Sequence, residues 1–312
     1  MNGMLLAAGY GTRMEPLSSW IAKPALEVLG EPLLASALAS LARADCARVV
    51  INLHRHPSQV ARAARGARPQ RTSLRFSFEP ALLGGAGGLG HARRLLGPGP
   101  VLAANADVWS KLDLGPLFAA SDEDAIVLAV RPHPDPSRWA SLVLSADGRV
   151  ERFARAGAVT PGAWLYTGFQ VVGSRVMDAL PDTHAELVPV WEGLRERGRL
   201  LAVAVAGRWR EAGSPKAYLR LVMDLLAGAP WVHVSATLGP GVVITGSAVG
   251  AGCRVGAAAR LDGSVITAGA TVGRGARVEN CLIAGAVAIP DGGEVRSSLI
   301  LPQLTVPLEA SQ

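Results

Sequence analysis

The sequence predicts an α/β domain, a mixed but mostly parallel sheet with helices on both faces, followed by a short coil of stacked strands. Three observations carry this expectation. Apolar runs alternate with amphipathic segments through the first 228 residues, a strict apolar period begins after Trp231, and a Gly-rich turn directly follows the first apolar run.

The runs Met4–Ala7, Arg48–Asn52, Leu74–Phe78, Val101–Ala104 and Ala125–Val130 are short, apolar and bounded by turn residues, as strands buried on both faces are. Between and beyond them, Leu33–Arg43, Ser58–Ala64, Gly88–Leu96 and Leu114–Ala120 carry apolar residues at helical spacing. Such alternation reads as βαβ units. Leu142–Ser145 and Val150–Phe153, joined through Asp147-Gly148, read as a hairpin. Glu186–Arg197 and Ser214–Leu226 are further helices, the second opened by a Ser N-cap and a Pro at its first position.

After Trp231 helical periodicity stops. Apolar residues fall at Val232, Leu238 and Ile244, then at Val249, Val255 and Leu261, and on through Ile266, Val272, Val278, Ile283, Ile289 and Val295 to Ile300. Corresponding members of successive sets are 17 residues apart without exception. Three hexads shortened by one residue make a triangular coil whose inward aliphatics stack on the coil below. This pattern resembles the left-handed β-helix of hexapeptide repeats, placed here over residues 229–312 after a domain at 1–228. A disordered Gly-rich tail would show no such period.

Composition narrows the function classes. With 312 residues and 49% hydrophobic content, the chain can bury a sizeable core. The excess of 31 basic over 25 acidic residues is mild, enough to favour anionic small molecules but not a nucleic-acid footprint. The cluster Arg62, Arg65, Arg68 and Arg71 reads as a solvated helix face. Cys46, Cys253 and Cys281 lack any disulfide or zinc spacing and are expected reduced and buried. No apolar stretch reaches membrane-spanning length, so a cytoplasmic protein without a membrane partner is expected.

Four segments carry chemistry. Leu6-Ala7-Ala8-Gly9-Tyr10-Gly11-Thr12-Arg13-Met14 follows the first strand at the sheet edge where α/β folds bind ligands. Gly9 and Gly11 let backbone N–H groups approach phosphate, Thr12 adds a hydroxyl, and Arg13 offers a planar fork; Lys23-Pro24 adds a compact charge. Glu79-Pro80, followed by Gly84-Gly85-Ala86-Gly87-Gly88, is a Gly-rich loop after the third strand. Asn105-Ala106-Asp107-Val108-Trp109 ends an apolar strand in an acid, a position suited to Mg²⁺. Trp209-Arg210-Glu211-Ala212-Gly213-Ser214-Pro215 adds a second carboxylate.

Together these segments resemble the sugar nucleotidyltransferases, or NDP-sugar pyrophosphorylases. The resemblance implies a Rossmann-like sheet and a reaction in which a sugar 1-phosphate oxygen attacks the α-phosphorus of a nucleoside triphosphate and pyrophosphate leaves. It implies that Leu6, Ala7, Ala8, Gly9, Gly11, Thr12, Arg13, Lys23, Glu79, Gly84, Gly85, Ala86, Gly87 and Asn105 bind the nucleotide, with Arg13 and Lys23 neutralising charge in catalysis. It implies further that Asp107 and Glu211 hold Mg²⁺ and that Thr167 and Gly168 of Tyr166-Thr167-Gly168-Phe169 face the sugar. Three positions depart from the family pattern, Gly85 standing for Thr, Ala106 for Gly and Glu211 for Asp, and the Glu-Lys pair before the sugar segment is missing. GTP with mannose 1-phosphate is favoured slightly over UTP with an amino-sugar 1-phosphate. A non-catalytic nucleotide-sugar-binding subunit is the alternative, and homo-oligomers through the β-helix are expected.

Overall fold

The structure is a computed structural model, described over residues 1–135, 139–158, 160 and 162–308. The chain divides into two compact units, one of Met1–Gly9 and Leu34–Trp209, the other of Tyr10–Leu33 and Arg210–Gln312.

In chain order the strands up to the repeat are β1 (Asn2–Leu6), β2 (Glu27–Val28), β3 (Glu31–Pro32), β4 (Arg48–Leu53), β5 (Ser73–Phe78), β6 (Val101–Asn105), β7 (Val108–Leu112), β8 (Ile126–Pro132), β9 (Ser141–Leu144), β10 (Val150–Ala154), β11 (Trp164–Val172), β12 (Leu200–Ala204) and β13 (Gly207–Glu211). The helices are α1 (Leu34–Arg43), α2 (Pro57–Gly66), α3 (Gly84–Leu96), α4 (Gly115–Ala119), α5 (Ser174–Ala179), α6 (Leu187–Glu196) and α7 (Pro215–Leu226). Every strand and helix read from periodicity is present, displaced by a few residues at its ends.

The first unit is built on a sheet of order β10-β9-β11-β6-β1-β4-β5, with β8 also against β11 and β12 against β8. β6, β1, β4 and β5 are parallel neighbours, and β11 runs antiparallel to β6 and β8. The predicted hairpin is the antiparallel pair β9–β10. Met4, Val50, Val101, Ile126 and Leu128 on the strands pack with Leu89, Ala92 and Leu96 of α3, all 0% exposed apart from neighbours at the rim. Because β6, β1, β4 and β5 point the same way, the residues after them share one edge. This is the ligand-binding edge of parallel α/β sheets.

Sequence and structure differ at α3. The Gly-rich segment expected as a loop forms the first turn of this helix. Glycine is a poor helix former, but here tertiary contact overrides propensity. The N–H groups of Ala86 and Gly87 both donate to the Ala185 carbonyl at 3.0 Å, satisfying helix-terminal donors. A Cβ on Gly87 would sit 2.1 Å from Thr183 O, and one on Gly90 1.9 Å from Pro181 O. Only glycine permits this approach.

In the second unit β2 and β3 form a small antiparallel pair. Ser214 caps α7, its hydroxyl accepting from Ala217 N–H at 3.2 Å with Pro215 in the first turn. Beyond it the repeat folds as the period requires. Strand partners are 17 apart on all three faces, as in Val232 beside Val249, Leu238 beside Val255 and Ile244 beside Leu261. The period continues through Val278 beside Val295 and Ile283 beside Ile300. Val249, Val255, Leu261, Ile266, Val272, Val278 and Ile283 form the dry centre of this β-helix. Leu304–Pro307 folds back antiparallel on Ser298–Leu301 at its end.

Candidate active site

At the carboxyl edge of the first unit, β1 ends in a backbone held from both sides. The Leu6 carbonyl accepts from Ala106 N–H at 3.0 Å, and Ala7 N–H donates to Asn52 Oδ1 at 2.7 Å. Asn52, at the end of β4, donates through Nδ2 to Glu79 Oε1 at 2.7 Å. Glu79 Oε2 accepts from Leu83 N–H at 3.0 Å, one residue before α3. Glu79 is fully buried and Asn52 almost so. An uncompensated buried carboxylate is costly; here two donors meet it. Nothing in the sequence pattern singled out Asn52. Its one signal is an amide inside the apolar run Val49-Val50-Ile51-Asn52-Leu53.

Asn105 ends β6 and half-buried Asp107 follows it before β7. Gly168 lies against Asn105: a Cβ there would be 3.2 Å from Asn105 Cβ and 3.3 Å from its Nδ2, and the backbone has φ +88°. Gly168 thus sits beside Asn105. The Thr167 hydroxyl instead donates to the Ala129 carbonyl at 2.8 Å, and the Thr167 carbonyl accepts from Trp209 Nε1 at 2.8 Å.

Side chains alternate along a strand, so Tyr166 takes the other face from Thr167. Burial and, second, the nearby Asp107 charge push the Tyr166 hydroxyl well above the usual phenol range. Tyr166 meets Trp191 of α6 edge-on at 5.1 Å, and Trp191 Nε1 donates to Gln170 Oε1 at 3.0 Å. Among the described residues the Tyr166 hydroxyl and Gln170 Nε2 are buried without a hydrogen-bond partner. Buried polar atoms left in that state are expensive, and both sit on β11, the strand that carries Tyr166-Thr167-Gly168-Phe169.

In the second unit, Gly11 adopts φ +65°, opening the turn Thr12–Met14. Its carbonyl accepts from Met14 N–H at 2.8 Å and from the Ser18 hydroxyl at 3.0 Å. The turn presents Arg13, whose Nη2 lies 3.0 Å from Glu211 Oε1; the arginine side chain is 61% exposed and the glutamate 13%. Gly213 leaves room for this pair, since a Cβ there would be 3.1 Å from Glu211 Oε1 and 3.4 Å from Arg13 Nη1. Lys23 is buried and opens the turn Lys23–Ala25. A Cβ on Gly11 would lie 3.7 Å from the Lys23 Cβ.

The structure therefore brings Arg13, Glu211 and the Gly11 turn together in one unit, with Lys23 beside that turn. Asn105, Asp107 and Gly168 cluster at the sheet edge of the other. Among the described residues no group of three or more His, Cys, Asp or Glu converges. Asp107 and Glu211 offer carboxylate oxygens, the donor type that Mg²⁺ takes together with phosphate and water.

Residues 2–228 match the nucleotidyl transferase family, and residues 229–306 match the GlmU-like C-terminal hexapeptide family. The N-acetylmuramate alpha-1-phosphate uridylyltransferase of Caulobacter vibrioides is 34% identical over 240 residues, covering 69% of this chain and 93% of the relative. The mannose-1-phosphate guanylyltransferase of Mycobacterium tuberculosis is 27% identical over 280 residues, covering 84% of this chain and 78% of the relative. Among solved structures, HddC from Yersinia pseudotuberculosis shares the fold at a TM-score of 0.61 and 20% identity, over 72% of this chain and 99% of that one. The chain belongs to the nucleotidyl transferase family, carrying a GlmU-like hexapeptide unit where the 17-residue repeat lies.

Proposed function

We propose that the chain joins a nucleoside triphosphate to a sugar 1-phosphate, releasing pyrophosphate and forming an NDP-sugar, with residues 1–228 as catalytic domain and the β-helix as a rigid module for self-association. The observation that carries this reading is the placement of Arg13 on the turn opened by Gly11, paired with Glu211. An exposed guanidinium on a Gly turn is free to exchange its carboxylate partner for phosphate oxygens. Bidentate contacts of that kind suit a charged, in-line transfer.

In this reading Arg13 and Lys23 neutralise the triphosphate, and the backbone of Leu6–Gly9, Gly11 and Thr12 holds it. The Glu79 and Gly84–Gly87 segments border the base with Asn105, and Gly168, with Thr167 behind it, borders the sugar. Asp107 and Glu211 would hold Mg²⁺, which supplies charge stabilisation at the transferring phosphoryl group. Catalysis is then positioning and charge neutralisation without a covalent intermediate.

UTP with an amino-sugar 1-phosphate is the pairing we place first. Supporting it, identity is 34% over 240 residues to the uridylyltransferase, against 27% over 280 residues to the guanylyltransferase. Competition between equimolar UTP and GTP, with N-acetylmuramate 1-phosphate or mannose 1-phosphate as acceptor, tests the pairing. A kcat/KM ratio favouring UTP supports it; a ratio favouring GTP with mannose 1-phosphate overturns it.

A further inference from the structure

From the end of β1 to the start of α3 runs an unbroken row of four groups: Ala7 N–H, the Asn52 amide, the Glu79 carboxylate and Leu83 N–H. Both ends of the row are backbone donors, and a backbone cannot be inverted. A side-chain amide has one donor arm and one acceptor arm, whereas a carboxylate has two acceptor arms. A row closed by donors at both ends therefore needs one amide and one carboxylate. Two amides leave donor facing donor however they flip, and two ionised carboxylates leave oxygen facing oxygen.

Space is equally restrictive. A Cβ on Gly88 would sit 2.8 Å from Glu79 Oε1 and 2.9 Å from Asn52 Nδ2, so the helix rests directly on the pair. Both Glu79 oxygens are engaged and the side chain is 0% exposed.

We propose that Glu79 is a positioning residue: with Asn52 it fixes the Ala7 and Leu83 backbones in register, joining the turn after β1 to the Gly-rich turn of α3, and it does not itself read the nucleobase. This rests on the nucleotidyl-transfer reading, in which these two turns border the nucleotide.

The test is a cycle of N52D, E79Q and N52D/E79Q in the full chain. Each single variant breaks the parity of the row. The double variant restores it with the charge moved: the new carboxylate at position 52 accepts from Ala7 N–H and from the amide at position 79, whose carbonyl accepts from Leu83 N–H. Each single variant is expected to raise the nucleotide KM at least about tenfold, leave the sugar 1-phosphate KM within about twofold and keep the ranking of nucleotides. Each also lowers the melting temperature by several degrees. The double variant is expected to recover both quantities to within about threefold in KM and about a degree or two in melting temperature. A changed nucleotide ranking in E79Q, or a double variant no better than the singles, overturns the proposal. If the wild type turns over no nucleotide, the nucleotidyl-transfer reading fails separately. The melting cycle then decides the row alone: restoration supports it and non-restoration overturns it.

Discussion

Two glycines in helices of the same unit should respond to alanine with opposite signs. Gly90, inside α3, faces the segment after α5: an added Cβ would lie 1.9 Å from Pro181 O, 2.7 Å from Pro181 C and 3.1 Å from Leu180 O. The first distance is about 1.5 Å short of an ordinary nonbonded contact, and the atoms met are backbone. Relief requires α3 and the 180–181 segment to separate. That separation also pulls Arg93, whose Nε donates to the Met177 carbonyl at 3.0 Å and whose Nη2 donates to the Leu180 carbonyl. Overpacking costs about 1–3 kcal/mol and strained hydrogen bonds about 1 kcal/mol each, against a helix-propensity gain of at most about 1 kcal/mol. Gly90→Ala should therefore lose about 2 kcal/mol or more. Gly193, inside α6, has nothing within 4 Å of its added Cβ. Gly193→Ala should gain about 0.5–1 kcal/mol, from propensity and a less flexible unfolded chain. Urea unfolding followed by far-UV circular dichroism measures both, with an unchanged slope as the control. A Gly90→Ala protein as stable as wild type, or a Gly193→Ala protein that loses stability, would refute the packing argument.

Other predictions are simpler. Leu261 is 1% exposed and stacked between Ile244 and Val278; Leu261→Ala should cost about 2–5 kcal/mol in denaturant unfolding, whereas Arg260→Ala beside it, pointing outward, should stay within about 0.5 kcal/mol. Burial pushes the Cys46 thiol up to about 11. The folded chain then holds this proton where the unfolded chain has released it, so stability should fall as pH rises between about 9 and 11, and Cys46→Ala should flatten that slope in pH-dependent melting. Removing the carboxylate that holds Arg13 at 3.0 Å, Glu211→Ala should cut kcat/KM about a hundredfold or more and raise the Mg²⁺ concentration needed for half-maximal rate. Unchanged metal dependence would sink the role assigned to Glu211.

The β-helix was legible almost residue by residue, because its strand register is the 17-residue apolar period itself. Strands β1, β4, β6 and β8 were legible because burial on both faces makes them continuous apolar runs, whereas β5, at the sheet edge, was legible from the alternation of Leu74, Phe76 and Phe78. β7 was not: Val108-Trp109-Ser110-Lys111-Leu112 alternates over only five residues, and its start overlaps the Asn105–Trp109 motif. β11 was hidden in the same way, its nine residues cut by a motif read for chemistry. Strand alternation puts Tyr166 and Thr167 of that motif on opposite faces. The Gly-rich turn of α3 defeated propensity because its stabilising partners, Thr183 and Ala185, lie about a hundred residues away in sequence. Asn52 carries no motif at all, and its role follows only from the partners the fold gives it.

Nucleotidyl transfer is tested most directly by incubating the full chain with Mg²⁺, each of the common nucleoside triphosphates and a set of sugar 1-phosphates, then quantifying NDP-sugar and pyrophosphate together. One pairing should give both products in equal amounts, chelation of the metal should stop it, and Asp107→Ala should abolish it while the variant keeps the wild-type melting temperature. Pyrophosphate released without NDP-sugar, or equal amounts of both from Asp107→Ala, would contradict the account.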